Sequence, residues 1–244
     1  METKAIFCEG KDDELVLKAL CDHLGLKGIR FEPVRGKDQF GKILADFTKL
    51  SEFVKGQIDT IVLIGDADID PKASFQRLCS AVDKADARLA TPKNAGEFTN
   101  GSTRVGIYII GGPDGTGALE DTCLASVGAE PEFPCVGEYF DCITRRSGRT
   151  LASAKAKMRV WLASHEDFDP RPGAAAEKGC WNSNSPVFDE LKTFLRRLEN
   201  RDTQPGLSGL GPSENQIIRF SAAKKPGIHQ CHWNPSPRIA THGC

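Results

Sequence analysis

Thr60-Ile61-Val62-Leu63-Ile64-Gly65-Asp66-Ala67-Asp68-Ile69-Asp70 is the stretch that decides the fold. Its first five residues are β-branched or aliphatic, and they stop at a glycine followed by acids at every second position. An unbroken apolar run of that length, closed by a turn signal, predicts a strand buried on both faces, as in a parallel sheet. The same design appears on either side of it. Ala5–Cys8 ends at Glu9-Gly10, Ile29–Val34 is a further strand candidate, and Val105–Ile110 ends at Gly111-Gly112-Pro113-Asp114-Gly115.

Helical periods fill the gaps. Asp12-Asp13-Glu14 opens a helix with Val16, Leu20 and Leu24 on one face and Gly25 at its end, acids being favoured in a first turn and glycine after a last one. Phe40, Ile43, Leu44, Phe47 and Leu50 predict one helix over 39–54, and Phe75, Leu78, Cys79 and Val82 predict another. Strands alternating with helices give an α/β fold, a parallel four-stranded sheet with right-handed crossovers and flanking helices.

Past residue 115 the pattern is helical: 119–127, 136–146, 151–163, and a final helix begun by Ser185-Pro186. The reading is therefore an α/β domain at 1–127, a helical C-terminal region at 128–200 and a tail at 201–244. The tail is set apart by composition. It holds five basic and two acidic residues, five glycines and five prolines, and no lasting periodicity, which predicts disorder. The whole chain of 244 residues has 32 Lys+Arg against 33 Asp+Glu, a formal charge of -1. That total is a body at -4 and a tail at +3, and neither is the polycation that coats nucleic acid by bulk charge.

No apolar run approaches the ~18 residues of a membrane span, and METKAIFCEG does not read as a signal peptide. Nine scattered cysteines without a CxxC pair predict buried thiols in a reducing cytoplasm.

In open parallel sheets ligands bind outside the carboxyl ends of the strands. Glu9 lies at one such end, Asp66, Asp68 and Asp70 at another, and Glu120 follows the turn after the fourth strand. Carboxylates brought together there repel unless a cation neutralises them. An all-oxygen set without His or Cys predicts Mg²⁺ or Mn²⁺ rather than zinc. Asp66 and Asp68, two apart, would point to one side if the segment is extended. A metal so held can polarise a phosphoryl oxygen and activate water.

Cys8-Glu9-Gly10 and Gly65-Asp66-Ala67-Asp68-Ile69-Asp70 resemble the two signature motifs of the TOPRIM fold, shared by topoisomerases, bacterial primases and the overcoming-lysogenization-defect (OLD) nucleases. EGKDDE, PDGTGALEDTCL and AAAEKGCWNSNSPVFDELKTFL are similar to a group of small standalone TOPRIM-like proteins near the nuclease branch, a similarity over residues 1–199. The resemblance implies Glu9 as metal ligand or acid/base, Asp66 and Asp68 as metal ligands, Asp70 as a branch-dependent third acid, and Asp13 and Glu120 as further ligands. It implies Mg²⁺-dependent phosphodiester hydrolysis of DNA or RNA, with Glu9, Asp66 and Asp68 as the catalytic set. A non-catalytic scaffold for nucleic acid, nucleotide or a protein partner in trans is the other reading. No Walker A motif is present, and Tyr108 and Tyr139 fall in elements expected to be core, which disfavours a tyrosine nucleophile. Gly111–Gly117 lacks the Lys-Ser/Thr ending of a phosphate loop and reads as a tight turn.

Overall fold

A computed structural model describes residues 3–150 and 153–199. The expected tail, and the first residues of the helix expected from 151, lie outside the described residues.

The four strands are β1 (Lys4–Cys8), β2 (Ile29–Pro33), β3 (Thr60–Asp66) and β4 (Arg104–Ile110). They form one parallel sheet in the order β2-β1-β3-β4. This is an α/β fold: a parallel four-stranded sheet with flanking helices, followed by further helices. Each boundary matches the sequence reading to within one or two residues. The largest extension is at β3, which includes Gly65 and Asp66 and pairs Asp66 with Ile110.

Alternation along each strand divides the interior into two layers, because successive side chains point to opposite faces. Ala5, Phe7, Ile61, Leu63, Val105 and Ile107 face α2 (Phe40–Phe47), α3 (Ser51–Val54) and α4 (Pro71–Ala85). Ile6, Cys8, Val62, Ile64 and Ile110 face α1 (Lys11–His23) and the C-terminal helices. Those are α5 (Leu119–Ser126), α6 (Phe133–Ser147), α7 (Ala154–Ala163), α8 (Pro172–Glu177) and α9 (Asp189–Arg196). The second layer runs without a break from Ile6 to Trp161, Trp181, Phe188 and Leu195, all buried.

Three sequence expectations are corrected. The single helix over 39–54 is broken, since Leu50 takes an extended conformation (ψ 145°) between α2 and α3. The last helix opens as a 3-10 turn at Pro186–Phe188 before α9, and Ser185 makes no side-chain cap. Tyr139 is on the outer face of α6 and is 51% exposed.

One glycine in the sheet is required by a neighbour. A Cβ at Gly106 would stand 2.5 Å from the Phe98 ring. That ring stacks on Phe194 at 4.8 Å and lies under the Arg104 and Arg197 guanidinium groups. Gly106→Ala is expected to displace Phe98 and destabilise the protein by about 1–3 kcal/mol, the usual range for overpacking. Urea unfolding measures it, and an unchanged midpoint would contradict this packing.

Candidate metal centre

The candidate centre is at the carboxyl edge of the sheet, where the ends of β1 and β3 meet the turn after β4. Glu9 follows β1 directly, and Gly10 is the N-cap of α1, so Asp12, Asp13 and Glu14 occupy the first helical turn. Asp13 Oδ2 comes close to Gly10: a Cβ there would lie 2.9 Å from it. Asp13 thus folds back over the turn that carries Glu9. Asp12, its neighbour, accepts the Gly173 N–H at 3.1 Å and ties the start of α8 to the same turn.

Asp66 closes β3. Its backbone N–H points to Glu9 Oε1 at 3.4 Å, and its own Oδ1 accepts the Leu119 N–H at 3.0 Å, at the start of α5. The strand end and a helix start, 53 residues apart, are joined by this one carboxylate. Burial pushes the Asp66 carboxyl up to about 8, helped by the charges of Asp13, Glu9 and Glu120 and opposed by the Leu119 hydrogen bond. Burial also pushes Asp13 up to about 6, with Glu120 and Glu9 adding to it. Glu9 moves in the same direction, burial again first, with the Asp66 N–H and Arg77 pulling the other way. Glu9, Asp13, Asp66 and Glu120 therefore share one electrostatic neighbourhood.

Asp68 adds to the charge that raises Glu9 and is itself held by cations. Its backbone is left-handed (φ 53°), which corrects the expectation of an extended Asp66–Asp68 segment. Its N–H and C=O pair with Gly117 at 2.8 and 2.6 Å, and its Oδ2 meets Lys37 Nζ at 3.1 Å and Arg77 Nη2 at 3.6 Å. Arg77 Nη2 is also 4.0 Å from Glu9 Oε1. Glu9 stands between the two sets, with the Asp66 group on one side and the Asp68 ion pairs on the other. Asp70 serves the helix: its Oδ1 accepts the Ala73 N–H at 3.0 Å as N-cap of α4, with Pro71 at the first helical position. Asp70-Pro71 is a recognisable start signal, so this role was available from the sequence.

The turn after β4 closes on itself, as expected. Gly112 N–H bonds Thr116 O at 2.6 Å and Gly115 N–H bonds Gly112 O at 2.8 Å, so these donors are not offered to a phosphate. A Cβ at Gly111 would meet the Gly115 backbone at 2.7 Å.

Among the described residues, no three His, Cys, Asp or Glu side chains are grouped closely enough to hold a metal ion as they stand. The donor set nevertheless suits a hard divalent cation. Its members are all oxygens, the nearby cations Lys37 and Arg77 pair with Asp68 and Glu9, and the raised acids are those that a 2+ charge would relieve. A small cavity of about 30 Å³ lies beside Asp13 and Glu120, its other walls being Asp12, Val16, Leu119, Cys123, Met158 and Pro172.

Sequence reading did not single out Arg77. It lies on α4, three residues after Ser74, whose hydroxyl bonds Ala67 O at 3.2 Å and receives Arg77 Nη2 at 3.3 Å. Its Nε is buried and has no hydrogen-bond partner among the described residues.

Residues 3–200 match the family described as protein of unknown function (DUF3226). The chain belongs to this family. Among solved structures, the C-terminal region of the Burkholderia pseudomallei OLD protein is similar at 16% identity and a TM-score of 0.44, covering 81% of this chain and 98% of that one. The corresponding region of the Xanthomonas campestris pv. campestris OLD protein is similar at 14% identity and a TM-score of 0.43, covering 81% and 96%. No curated protein matches the chain. Among the described residues of this DUF3226 member, no helix is long and apolar enough to cross a membrane.

Proposed function

We propose that this protein is a Mg²⁺- or Mn²⁺-dependent hydrolase of nucleic-acid phosphodiesters. The observation that carries the reading is the group of half-buried, mutually repelling carboxylates at the sheet edge, Glu9, Asp13, Asp66 and Glu120, with Arg77 and Lys37 beside it. The likeness of Glu9-Gly10 and Asp66-Ala67-Asp68 to the TOPRIM motifs supports it from the sequence.

Asp66, Asp13, Glu9 and Glu120 would hold the cation, and Asp68 would join them on release from its ion pairs. A bound divalent ion supplies polarisation of a phosphoryl oxygen and a more acidic water. The residues of the chain do the rest. Arg77 and Lys37 are placed to engage a phosphate as it displaces Asp68, a guanidinium and an ammonium on one group. Glu9 Oε1, facing Arg77 and the Asp66 N–H, is positioned to accept a proton from the attacking water. Ser74 holds Arg77 in place by tying its own hydroxyl to Ala67 O.

Cleavage of single- and double-stranded DNA and RNA, with Mg²⁺ and with Mn²⁺, tests the proposal beside Asp66→Asn. Metal-dependent cleavage that the variant lacks is the expected result; cleavage retained in chelator or in the variant would overturn it. Within that assay Arg77→Ala is expected to slow single-turnover cleavage by about 10²–10³, the cost of removing one positioned donor to a developing charge. Arg77→Lys recovers part of the loss, and no loss in Arg77→Ala would remove it from the mechanism.

The scaffold reading is favoured by one observation: Asp68, half of the two-acid motif, is already neutralised by Lys37 and Arg77. On that reading metal stabilises the fold, nucleic acid or a protein partner binds, and nothing is cleaved.

A further inference from the structure

The stretch from Cys142 to His165 contains six cations, Arg145, Arg146, Arg149, Lys155, Lys157 and Arg159, and no Asp or Glu. In a body that totals -4, this leaves -10 for the remainder. Exposed arginines elsewhere take a carboxylate, Arg88 from Asp86 and Arg171 from Asp169. None of the six has an ion pair among the described residues. The helix dipole accounts for part of the group: Arg145 and Arg146 are in the last turn of α6, where a cation is favoured. It works against Lys155 and Lys157, which open α7 near its positive end with no acid in the first turn to offset them. Like charges held together without counter-charges oppose folding, and a bound polyanion relieves them.

The fold gathers the six on one hairpin. Phe133, at the start of α6, meets Trp161, near the end of α7, at 5.5 Å between rings. Further along, Gly137 of α6 and Ala154 and Lys157 of α7 line one hollow of about 340 Å³. The two helices therefore run antiparallel, with the start of α7 alongside the middle of α6 and the three arginines beyond it. Five of the cations are exposed and Lys157 is half-buried. Tyr139, 51% exposed, is seven residues before Arg146 and so on the same face of α6. The inner side of α7 reaches the carboxylates, since Met158 lines the small cavity beside Asp13 and Glu120. Four of the six cations are arginines, whose planar fork takes a phosphate through two hydrogen bonds, and Tyr139 offers a ring on which a base can stack. An anionic membrane fits less well: it requires an apolar face, and Tyr139 is the one exposed large apolar side chain of the hairpin among the described residues.

We infer that the α6–α7 hairpin is the surface that holds the nucleic-acid backbone, through contacts to phosphates and without regard to sequence. This rests on the proposed nucleic-acid function and locates its binding surface. The chain then divides the work: the hairpin cations supply affinity, and the carboxylate edge next to them meets the phosphate to be cleaved. A formal charge near zero is compatible with such binding because the cations are concentrated in one place.

The test measures binding in chelator, so it does not depend on cleavage. The full chain is titrated with labelled DNA and RNA strands of mixed sequence, by fluorescence anisotropy over a series of salt concentrations. Arg145→Gln, Arg146→Gln and Arg149→Gln together should raise the Kd about tenfold or more and lower the slope of log Kd against log salt by about two. Lys155→Gln, Lys157→Gln and Arg159→Gln together should do the same. Lysine at all three arginine positions 145, 146 and 149 keeps the charge and should recover most of the affinity. Lys42→Gln, Lys55→Gln and Lys84→Gln together remove the same charge from exposed positions in the α2–α4 layer and should have little effect. Absence of binding to either strand would overturn the inference, as would a hairpin triple that binds like wild type. A control triple that weakens binding equally would show bulk charge instead. Polyglutamate or phosphatidylserine vesicles bound as tightly as the strands, and through the same residues, would assign the hairpin to another partner. Hairpin-dependent binding with no cleavage in the metal screen would defeat the hydrolase proposal and leave the interface standing.

Discussion

Asp66→Asn is expected to make the metal-free protein more stable while removing its response to Mg²⁺ and its cleavage activity. The two effects have one origin. Asp66 is held among Asp13, Glu9 and Glu120 in a site that burial has already made costly for a charge. An asparagine keeps an oxygen for the Leu119 N–H and drops the charge, so the local geometry has no reason to change. Replacing a partly desolvated charge that faces other carboxylates by a neutral isostere gains about 2 kcal/mol at alkaline pH. For a chain of this size that is about 4–8 °C in Tm. Activity moves the other way, because the residue that joins β3 to α5 no longer offers a charged ligand. Thermal melts in chelator and in Mg²⁺, beside the cleavage assay, read all three effects. A variant less stable than wild type in chelator would show that Asp66 is a structural carboxylate.

The second large effect is on pH. Asp66 and Asp13 have folded-state values of about 8 and about 6, above the ordinary 3.8 of an unfolded aspartate. The folded state holds these protons more tightly, so their stabilising contribution is full below about pH 4 and is lost as the pH rises through 6 and then 8. The metal-free protein is expected to melt at a lower temperature at about pH 8.5 than at about pH 5. Asp86, Asp114 and Asp169, lowered chiefly by hydrogen bonds to Arg88, Thr116 and Arg171 respectively, act in the opposite direction, but only in more acidic solution. Mg²⁺ should reverse the trend, since a cation competes with those protons: its increment in Tm grows from about pH 5 to about pH 8.5. An increment independent of pH would mean that the ion binds elsewhere.

How far the sequence carries is seen in particular residues. The strands were legible because burial on both faces leaves no polar interruption in Thr60–Ile64 or Ala5–Cys8. Topology then followed from alternation with helices. Glu9, Asp66 and Glu120 could be expected near one another because strand ends converge by construction, whereas Asp13, in the first turn of α1, was pointed to only by the TOPRIM resemblance.

The conformation of Asp68 was not legible. Its left-handed backbone is imposed by pairing with Gly117, a residue 49 positions away, and no local pattern announces that. Arg77 was missed because a single arginine inside an amphipathic helix reads as solvated surface. Its value comes from Ser74 one turn before it and from Asp68 and Glu9 across the sheet edge. Helix α8 is six residues long and held by Asp12 and by Trp181, whose indole donates to Pro172 O at 3.1 Å. Its period is too short to register alone.

On the proposed function, the carboxylates at the ends of β1 and β3 hold a divalent cation. Anomalous diffraction from crystals of the full chain grown with Mn²⁺ tests it most directly. A peak is expected about 2.0–2.4 Å from an Asp66 oxygen, with Glu9 or Asp13 also within ligating distance. Clear density for these side chains with no peak among them, or a peak only at other residues, would contradict it.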